Sequence, residues 1–139
     1  MCVAEESPKI QVAALPYRRR GKHIEVLLIT SRETRRWIIP KGWQMLHLQD
    51  YNAAKREALE EAGTAGRIGK TALGQFDYIK NLKGGASQKC RVVVYPLEVK
   101  ALLRDWKERG QRTRKWFSAD QASRLVQVPF LRSIILGLG

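Results

Sequence analysis

The chain has 139 residues, 44% of them hydrophobic and 28% charged, which excludes wholesale disorder and favours a single domain over residues 1–139. Lys and Arg number 26 against 13 Asp and Glu, so the formal net charge is +13. A field of this sign concentrates anions around the protein and fits a polyphosphate, a nucleic acid or an anionic membrane as partner.

The N-terminal residues and the cysteines bear on the compartment. Glu5, Glu6 and Pro8 are unlike a secretory signal, and no apolar run approaches the roughly 20 residues that span a bilayer. Cys2 and Cys90 lie far apart, with neither a CxxC motif nor a histidine at zinc-ligand spacing, so we interpret both as reduced thiols. The sequence predicts a soluble cytoplasmic protein without a membrane partner, either a monomer or a weak dimer.

The first elements along the chain are strands. Ile10–Leu15 and Ile24–Thr30 are expected to form a hairpin, with a turn over Arg18–Lys22. Trp37–Ile39 is a short apolar stretch that ends at Pro40, and residues 42–49 are expected to form a loop.

A helix should follow, with Asp50 as its N-cap, Ala62 near its end and Gly63 as its C-terminal stop. The remaining expected elements are strands within residues 65–80, a mobile loop or hairpin tip at 81–88, strands at 91–97 and 115–117, a helix capped by Ser118 or Asp120, and a last helix from Pro129. This order predicts a mixed α/β sandwich with helices on both faces of one sheet.

The helix at 50–62 carries three carboxylates in one arc. Its apolar face, with Ala54 and Ala58, can pack on the sheet, while Glu57, Glu60 and Glu61 occupy the neighbouring arc at i, i+3 and i+4. Mutual repulsion and the helix dipole both disfavour anions there, which points to a compensating hard cation such as Mg²⁺. The alternative is a solvated acidic face in which Arg56 pairs with Glu60.

The residues around this helix resemble the Nudix box, the pattern G-x5-E-x7-R-E-U-x-E-E-x-G-U in which U is aliphatic. Gly42 stands fourteen residues before Arg56, and Arg56–Gly63 then follows the pattern without a gap, which places the box at 42–64. Leu48 stands where the box has its first glutamate, which in the family commonly braces the box arginine. Arg56 therefore needs another partner, such as Glu60 or a backbone carbonyl.

The flanks are similar to one branch of that family, the diphosphoinositol polyphosphate phosphohydrolase-like proteins. The similarity lies in Trp37–Trp43 and in Lys115–Phe117 with the helix that follows, so it spans most of the chain, roughly residues 10–126. It implies a Nudix-type α/β/α sandwich with a mixed sheet.

The resemblance also implies an active site. Glu57 and Glu61 would bind Mg²⁺, with Mn²⁺ as an alternative, Glu60 would bind it or assist, and the Gly42 carbonyl would complete the site. A dication at this place would neutralise phosphate charge and acidify an attacking water. Glu60 is the first candidate for the base that accepts the proton of the water, and Glu57 is the second. Arg56 is counted as catalytic with these glutamates.

Cations near the box are expected to capture the substrate, because guanidinium and ammonium groups suit phosphate oxygens. Trp43 could stack on a base or serve only as packing. The expected substrate-binding residues are Arg32, Arg35, Arg36, Lys41, Trp43 and Lys89.

The sequence thus predicts metal-dependent hydrolysis of a phosphoanhydride bond in a small, densely anionic substrate. The branch implies diphosphoinositol polyphosphates or dinucleoside polyphosphates. Removal of pyrophosphate from the 5′ end of RNA is a less favoured alternative. The alternative of a different class is a catalytically inactive, basic nucleic-acid-binding module on the same scaffold. Leu48 and the Arg-rich turn at Arg18–Arg20 support it weakly.

Overall fold

The computed structural model describes residues 7–138, so Cys2 lies outside the described residues. Within them the elements follow the order strands, helix, strands, two helices. The strands are β1 Lys9–Arg20, β2 His23–Thr30, β3 Trp37–Ile38, β4 Lys41–Trp43, β5 Thr64–Ile68, β6 Gly74–Asn81, β7 Ser87–Leu102 and β8 Arg114–Ser118. The helices are α1 Asp50–Ala62, α2 Ala119–Leu125 and α3 Pro129–Leu136.

The strands form one mixed sheet centred on β1. This strand runs parallel to β7 on one side. On its other side it pairs antiparallel with β4 near its beginning, where Val12 lies opposite Gly42, and with β2 near its end, where Tyr17 lies opposite Val26. β3 and β8 extend the sheet from β2, whereas β5 and β6 both pair with β7. β4 therefore forms an edge of the sheet beside the first half of β1.

Helices cover both faces, as the sequence predicted. Successive side chains of β1 point to opposite faces. Val12 and Ala14 pack against Ala54 and Ala58 of α1, while the alternate residues face α2 and α3. The buried residues of this second layer include Ala13, Leu15, Val92, Val94, Val126, Leu131 and Ile135. The predicted α/β/α sandwich is therefore confirmed, with α1 on one face of the mixed sheet and α2 and α3 on the other.

Both ends of α1 bear on the predictions. Gly63 ends the helix in the left-handed conformation, with a φ of 64°, as expected from a residue without Cβ. The N-cap prediction is wrong by one residue, because Asp50 is already helical and Gln49 is the cap. The Asp50 carboxylate accepts hydrogen bonds from the Gln44 side-chain amide at 3.2 Å instead of capping the helix.

Two further predictions need correction. Residues 42–43, expected in a loop, belong to β4, because the edge of β1 offers them hydrogen-bonding partners that no local pattern reveals. The turn of the first hairpin is shorter than 18–22, because β1 continues to Arg20 and Arg18 pairs across the strands with Glu25 at 2.8 Å.

The C-terminal elements agree with the sequence. The Ser118 hydroxyl accepts the backbone N–H of Gln121 and so caps α2, which decides between the two expected caps. Pro129 opens α3. Within residues 7–138 no helix is both long and apolar enough to cross a membrane.

Candidate active site

β4 and α1 bring two glutamates against two backbone positions. Glu57 and Glu61, one turn apart on α1, face β4. The Lys41 N–H donates to Glu61 Oε1 at 3.2 Å. Gly42 lies so close to the Glu57 carboxylate that a Cβ at this position would overlap it. The requirement for glycine at 42 thus follows from the approach of a carboxylate.

The pKa of both carboxyl groups is raised in the folded protein. Burial raises the pKa of Glu61 to about 8, against an opposing effect of the Arg112 guanidinium, and the neighbouring Glu57 raises it further. Burial also raises the pKa of Glu57, although a hydrogen bond with Glu61 works against this, and Glu60 and Glu108 add repulsion. Glu61 is buried and Glu57 is half-buried, and both resist ionisation, so a cation between them would be strongly stabilising.

A loop between β7 and β8 supplies the protein cation nearest to this pair. Arg112 is almost fully buried, donates from Nε to Glu108 Oε1 at 2.9 Å, and donates from Nη1 to the Thr30 carbonyl at 3.2 Å. Its Nη2 lies 3.9 Å from Glu61 Oε2. Sequence reasoning missed Arg112 and Glu108, because their stretch shows only a polar, basic composition and its partners lie far away along the chain.

Glu60 has partners that differ from those of Glu57 and Glu61. Its Oε2 lies 3.8 Å from Lys107 Nζ, and its backbone carbonyl accepts the Glu108 N–H at 3.0 Å. No three His, Cys, Asp or Glu side chains group as a metal cluster anywhere in residues 7–138. The structure therefore unites two of the three predicted metal-binding glutamates.

Arg56 does not pair with Glu60, and the solvated ion pair considered for this helix is not formed. Its side chain is exposed and, among the described residues, makes no hydrogen bond or ion pair. It borders a surface cavity of about 290 Å³ together with Leu48 and Leu59. Leucine at 48 explains this, because an apolar side chain cannot accept from the guanidinium.

A larger pocket, lined by the Lys41 side chain, has a volume of about 400 Å³. This volume is within the size range of small-molecule sites. Its walls are mostly apolar and aromatic, and two cations, Arg36 and Lys41, stand among them. The apolar lining includes Trp37, Ile39, Phe76, Tyr78, Val128 and Leu131.

Lys41 links this pocket to the carboxylates. Its backbone N–H contacts Glu61, while its side chain lines the pocket with Nζ 5.0 Å from the centre of the Tyr78 ring. Burial lowers the pKa of Lys41, the charge of Glu61 opposes this, and Lys80 and Arg112 lower it further. Lys41 thus places a cation within reach of both the pocket and the acidic pair, Glu57 and Glu61.

A family model described as the NUDIX domain matches residues 7–136 of the chain. The chain belongs to the Nudix family. The recognition made from the box is therefore confirmed, although its first glutamate is absent.

Proteins similar to this Nudix domain are named as hydrolases. Diphosphoinositol polyphosphate phosphohydrolase 3-beta of Bos taurus is 33% identical over 124 residues, which cover 88% of this chain and 71% of that protein. The 3-alpha protein of Homo sapiens is 34% identical over the same shares. Nudix hydrolase 18, mitochondrial, of Arabidopsis thaliana is 33% identical over 80% of this chain and 65% of that protein.

Solved structures show the same fold at lower identity. The Ap4A hydrolase of C. elegans superposes with a TM-score of 0.64 at 19% identity, over 93% of this chain and 94% of that one. A NUDIX hydrolase from Nitrosomonas europaea gives a TM-score of 0.70 at 19% identity, over 93% and 86%. The chain is a Nudix hydrolase, a member of a family of phosphoanhydride-cleaving enzymes, as the sequence predicted.

Nudix hydrolases generally use divalent metal ions, and the residues present fit such an ion. Glu57 and Glu61 provide the hard oxygen donors that Mg²⁺ and Mn²⁺ prefer. Burial, with added repulsion from neighbouring carboxylates, raises the pKa of each, and a bound dication would favour their ionised forms.

The predicted substrate-binding residues separate into groups. Arg36 and Lys41 line the pocket. Arg32 donates to the Gln111 side chain at 3.4 Å, and Arg35 donates to the Thr30 hydroxyl and the Gln111 carbonyl at 3.3 Å, so both arginines join their loop to the 103–113 loop. The remaining two residues do not line the pocket. The Trp43 ring lies under the Lys80 ammonium group, and Lys89 Nζ lies 4.0 Å from Asp77 Oδ2.

Proposed function

We propose that this Nudix hydrolase cleaves a phosphoanhydride bond in a dinucleoside polyphosphate, with Mg²⁺ or Mn²⁺ as cofactor. The observation that carries the proposal is the double role of Lys41, which contacts Glu61 through its backbone and lines an aromatic pocket through its side chain. If the base of a nucleotide binds in the pocket, Lys41 would bind its phosphates and direct them towards the two carboxylates.

In this proposal Glu57, Glu61 and the Gly42 carbonyl hold the cation. When bound, the cation would offset phosphate charge and make an attacking water more acidic. Glu60, which is partly exposed and stands outside the acidic pair, is our first candidate for accepting the proton of the water, and Glu57 is the second. Arg112 keeps Glu61 in place through its contacts with Thr30 and Glu108.

Arg36 and Lys41 are the proposed phosphate-binding residues at the pocket. Their charges suit an anionic chain that leaves the pocket, whereas the apolar walls suit a planar base, since burying phosphates against Phe76 or Val128 without partners would be costly. Arg32, Arg35 and Lys89 would act at longer range through the positive field.

A diphosphoinositol polyphosphate is the second candidate substrate. The curated relatives that are 33–34% identical carry that activity in their names, and the net charge of +13 suits a densely anionic ring. Removal of pyrophosphate from RNA 5′ ends, and RNA binding without catalysis, are the remaining alternatives.

We further propose that residues 1–139 form one domain, that the protein is a monomer or weak dimer, and that it acts in the cytoplasm. The buried free thiol of Cys90 is compatible with a reducing compartment.

A substrate panel tests the function. Diadenosine tetraphosphate, a diphosphoinositol polyphosphate and 5′-triphosphorylated RNA would each be incubated with Mg²⁺ and either the wild-type protein or Glu61→Gln. We expect the highest kcat/KM for the dinucleotide and a loss of at least about a hundredfold in Glu61→Gln. A preference for the inositol compound would select the second candidate, whereas RNA binding with a steep salt dependence and no turnover would select the binding module.

A further inference from the structure

Trp43 and Lys80 form an exposed aromatic–cation pair for which the proposed chemistry leaves no role. The Trp43 side chain is 42% exposed although it is large and apolar. Lys80, on β6, places its Nζ 4.8 Å from the centre of the Trp43 ring. An exposed tryptophan held by a cation is a favourable platform for a planar, electron-poor group.

Trp43 is adjacent along β4 to the residues that contact the proposed metal-binding carboxylates. Trp43 follows Gly42, which touches Glu57, and Gly42 follows Lys41, whose N–H binds Glu61. Side chains two residues apart on a strand share a face, and their Cα atoms are roughly 7 Å apart. Lys41 and Trp43 therefore present their side chains on the pocket face of β4, whereas Gly42 between them faces Glu57 on the α1 face.

Two aromatic–cation pairs thus stand side by side. Lys41 lies over Tyr78 at the pocket, and Lys80 lies over Trp43 beyond it. The two ammonium groups are close enough for the charge of Lys80 to act on Lys41. A polyanion that runs from the pocket along the edge strand would meet both cations before it reached the Trp43 ring.

We propose that Trp43 is a second base-binding subsite, where the far base of a dinucleoside polyphosphate stacks on the ring while Lys41 and Lys80 pair with the intervening phosphates. The proposal rests on the proposed function and extends it by giving the second base a site. Stacking is available to any base, because every base has a π-face.

The test compares a substrate with two bases and a substrate with one. Steady-state kinetics would be measured with diadenosine tetraphosphate and adenosine tetraphosphate for the wild type, Trp43→Ala, Trp43→Phe and the matched control Phe130→Ala, whose ring is exposed on α3. We expect Trp43→Ala to lower the ratio of kcat/KM for two bases over one by about tenfold, Trp43→Phe to retain most of it, and Phe130→Ala to leave it unchanged. Lys80→Met should raise the KM of both substrates.

An equal loss for both substrates would show that Trp43 only holds β4 in place and would overturn the subsite, as would an unchanged ratio in Trp43→Ala. An unchanged KM in Lys80→Met would overturn the phosphate-pairing role of Lys80. If the wild type hydrolyses neither nucleotide, the proposed function fails, and equilibrium binding of the same two compounds decides the subsite. Tighter binding of the two-base compound that is lost in Trp43→Ala supports it, and equal binding of both compounds overturns it.

Discussion

At the scale of single residues, Glu61 joins most of the site. Its carboxylate accepts from Lys41, lies beside Arg112 and faces Glu57, and it is buried among these groups. Burial raises its pKa from 4.5 to about 8, which means that the folded protein holds a proton that the unfolded chain has already lost. Without a metal ion, ionised Glu61 therefore costs stability.

The sign of this linkage gives a prediction for Glu61→Gln in the metal-free protein. The folded pKa lies above the unfolded one, so the stability of the wild type falls as pH rises from 4.5 towards about 8. A glutamine keeps an oxygen for the Lys41 N–H but does not ionise. We expect the variant to melt at a higher temperature than the wild type near pH 8, with the difference vanishing towards pH 4.5, as measured by calorimetry with chelator present.

Asp105→Asn is the matched control, because Asp105 is highly exposed and its removal should leave the melting temperature almost unchanged at either pH. A Glu61→Gln protein that melts lower than the wild type at both pH values would mean that the contact with Arg112 outweighs the cost of burial. Added Mg²⁺ should stabilise the wild type and should not stabilise the variant.

At the scale of elements, the end of α1 and the 103–113 loop form one unit. The Leu103 N–H donates to the Gly63 carbonyl at 2.8 Å, and Arg114 donates to the carbonyls of Ala62, Gly63 and Leu103 at 2.8–3.2 Å. The Arg114 guanidinium also lies 3.9 Å from the centre of the Trp106 ring. These contacts satisfy helix-end carbonyls and hold the loop that carries Arg112 over the acidic pair.

Arg114→Met should therefore destabilise the fold through α1 and the loop together. Methionine keeps much of the side-chain volume but leaves buried carbonyls without their charged donor, at a cost of about 1–3 kcal/mol in the free energy of unfolding. Urea denaturation measures the change. Arg109→Met, which removes only an exposed contact 3.9 Å from Asp105, should change the free energy by less than about 0.5 kcal/mol. Equal stabilities of the two variants would contradict the anchoring role.

At the scale of the whole molecule, the net charge of +13 is distributed far beyond the pocket. Arg19 and Arg20 lie at the tip of the first hairpin, whereas β4 pairs with the other end of β1, so these arginines are roughly 20 Å or more from the site. Such distant charges cannot bind a substrate directly. They raise its local concentration through a field that salt screens over about 10 Å at 0.1 M.

The kcat/KM for diadenosine tetraphosphate should therefore fall as salt concentration rises, with most of the change in KM. The double variant Arg19→Gln/Arg20→Gln should show a shallower dependence on salt and an unchanged kcat. It weakens the positive field and removes an exposed ion pair with Glu25, but no contact at the proposed site. Stopped-flow or steady-state assays over a salt series would measure both. A salt effect confined to kcat would instead indicate that ions act on the chemical step.

The amino-acid sequence determined the features that depend on neighbours along the chain. The period of α1 fixed which of its faces is buried, the i, i+3 and i+4 spacing put three glutamates in one arc, and Gly63 marked the end of the helix. The apolar runs of β2 and β7 identified strands covered on both faces. Each of these is a local pattern, set by the geometry of one helix or strand.

Only the tertiary structure decided which of those residues meet. Pairing with β1 places residues 42–43, expected in a loop, in an edge strand. The 103–113 loop brings Arg112 to Glu61 and Lys107 to Glu60. The pocket beside Lys41 likewise joins walls from β3, β6 and the α2–α3 connection. These contacts join residues that are distant along the chain, and their geometry depends on how the sheet pairs and on how the loops cross it, which no spacing within a single element can encode.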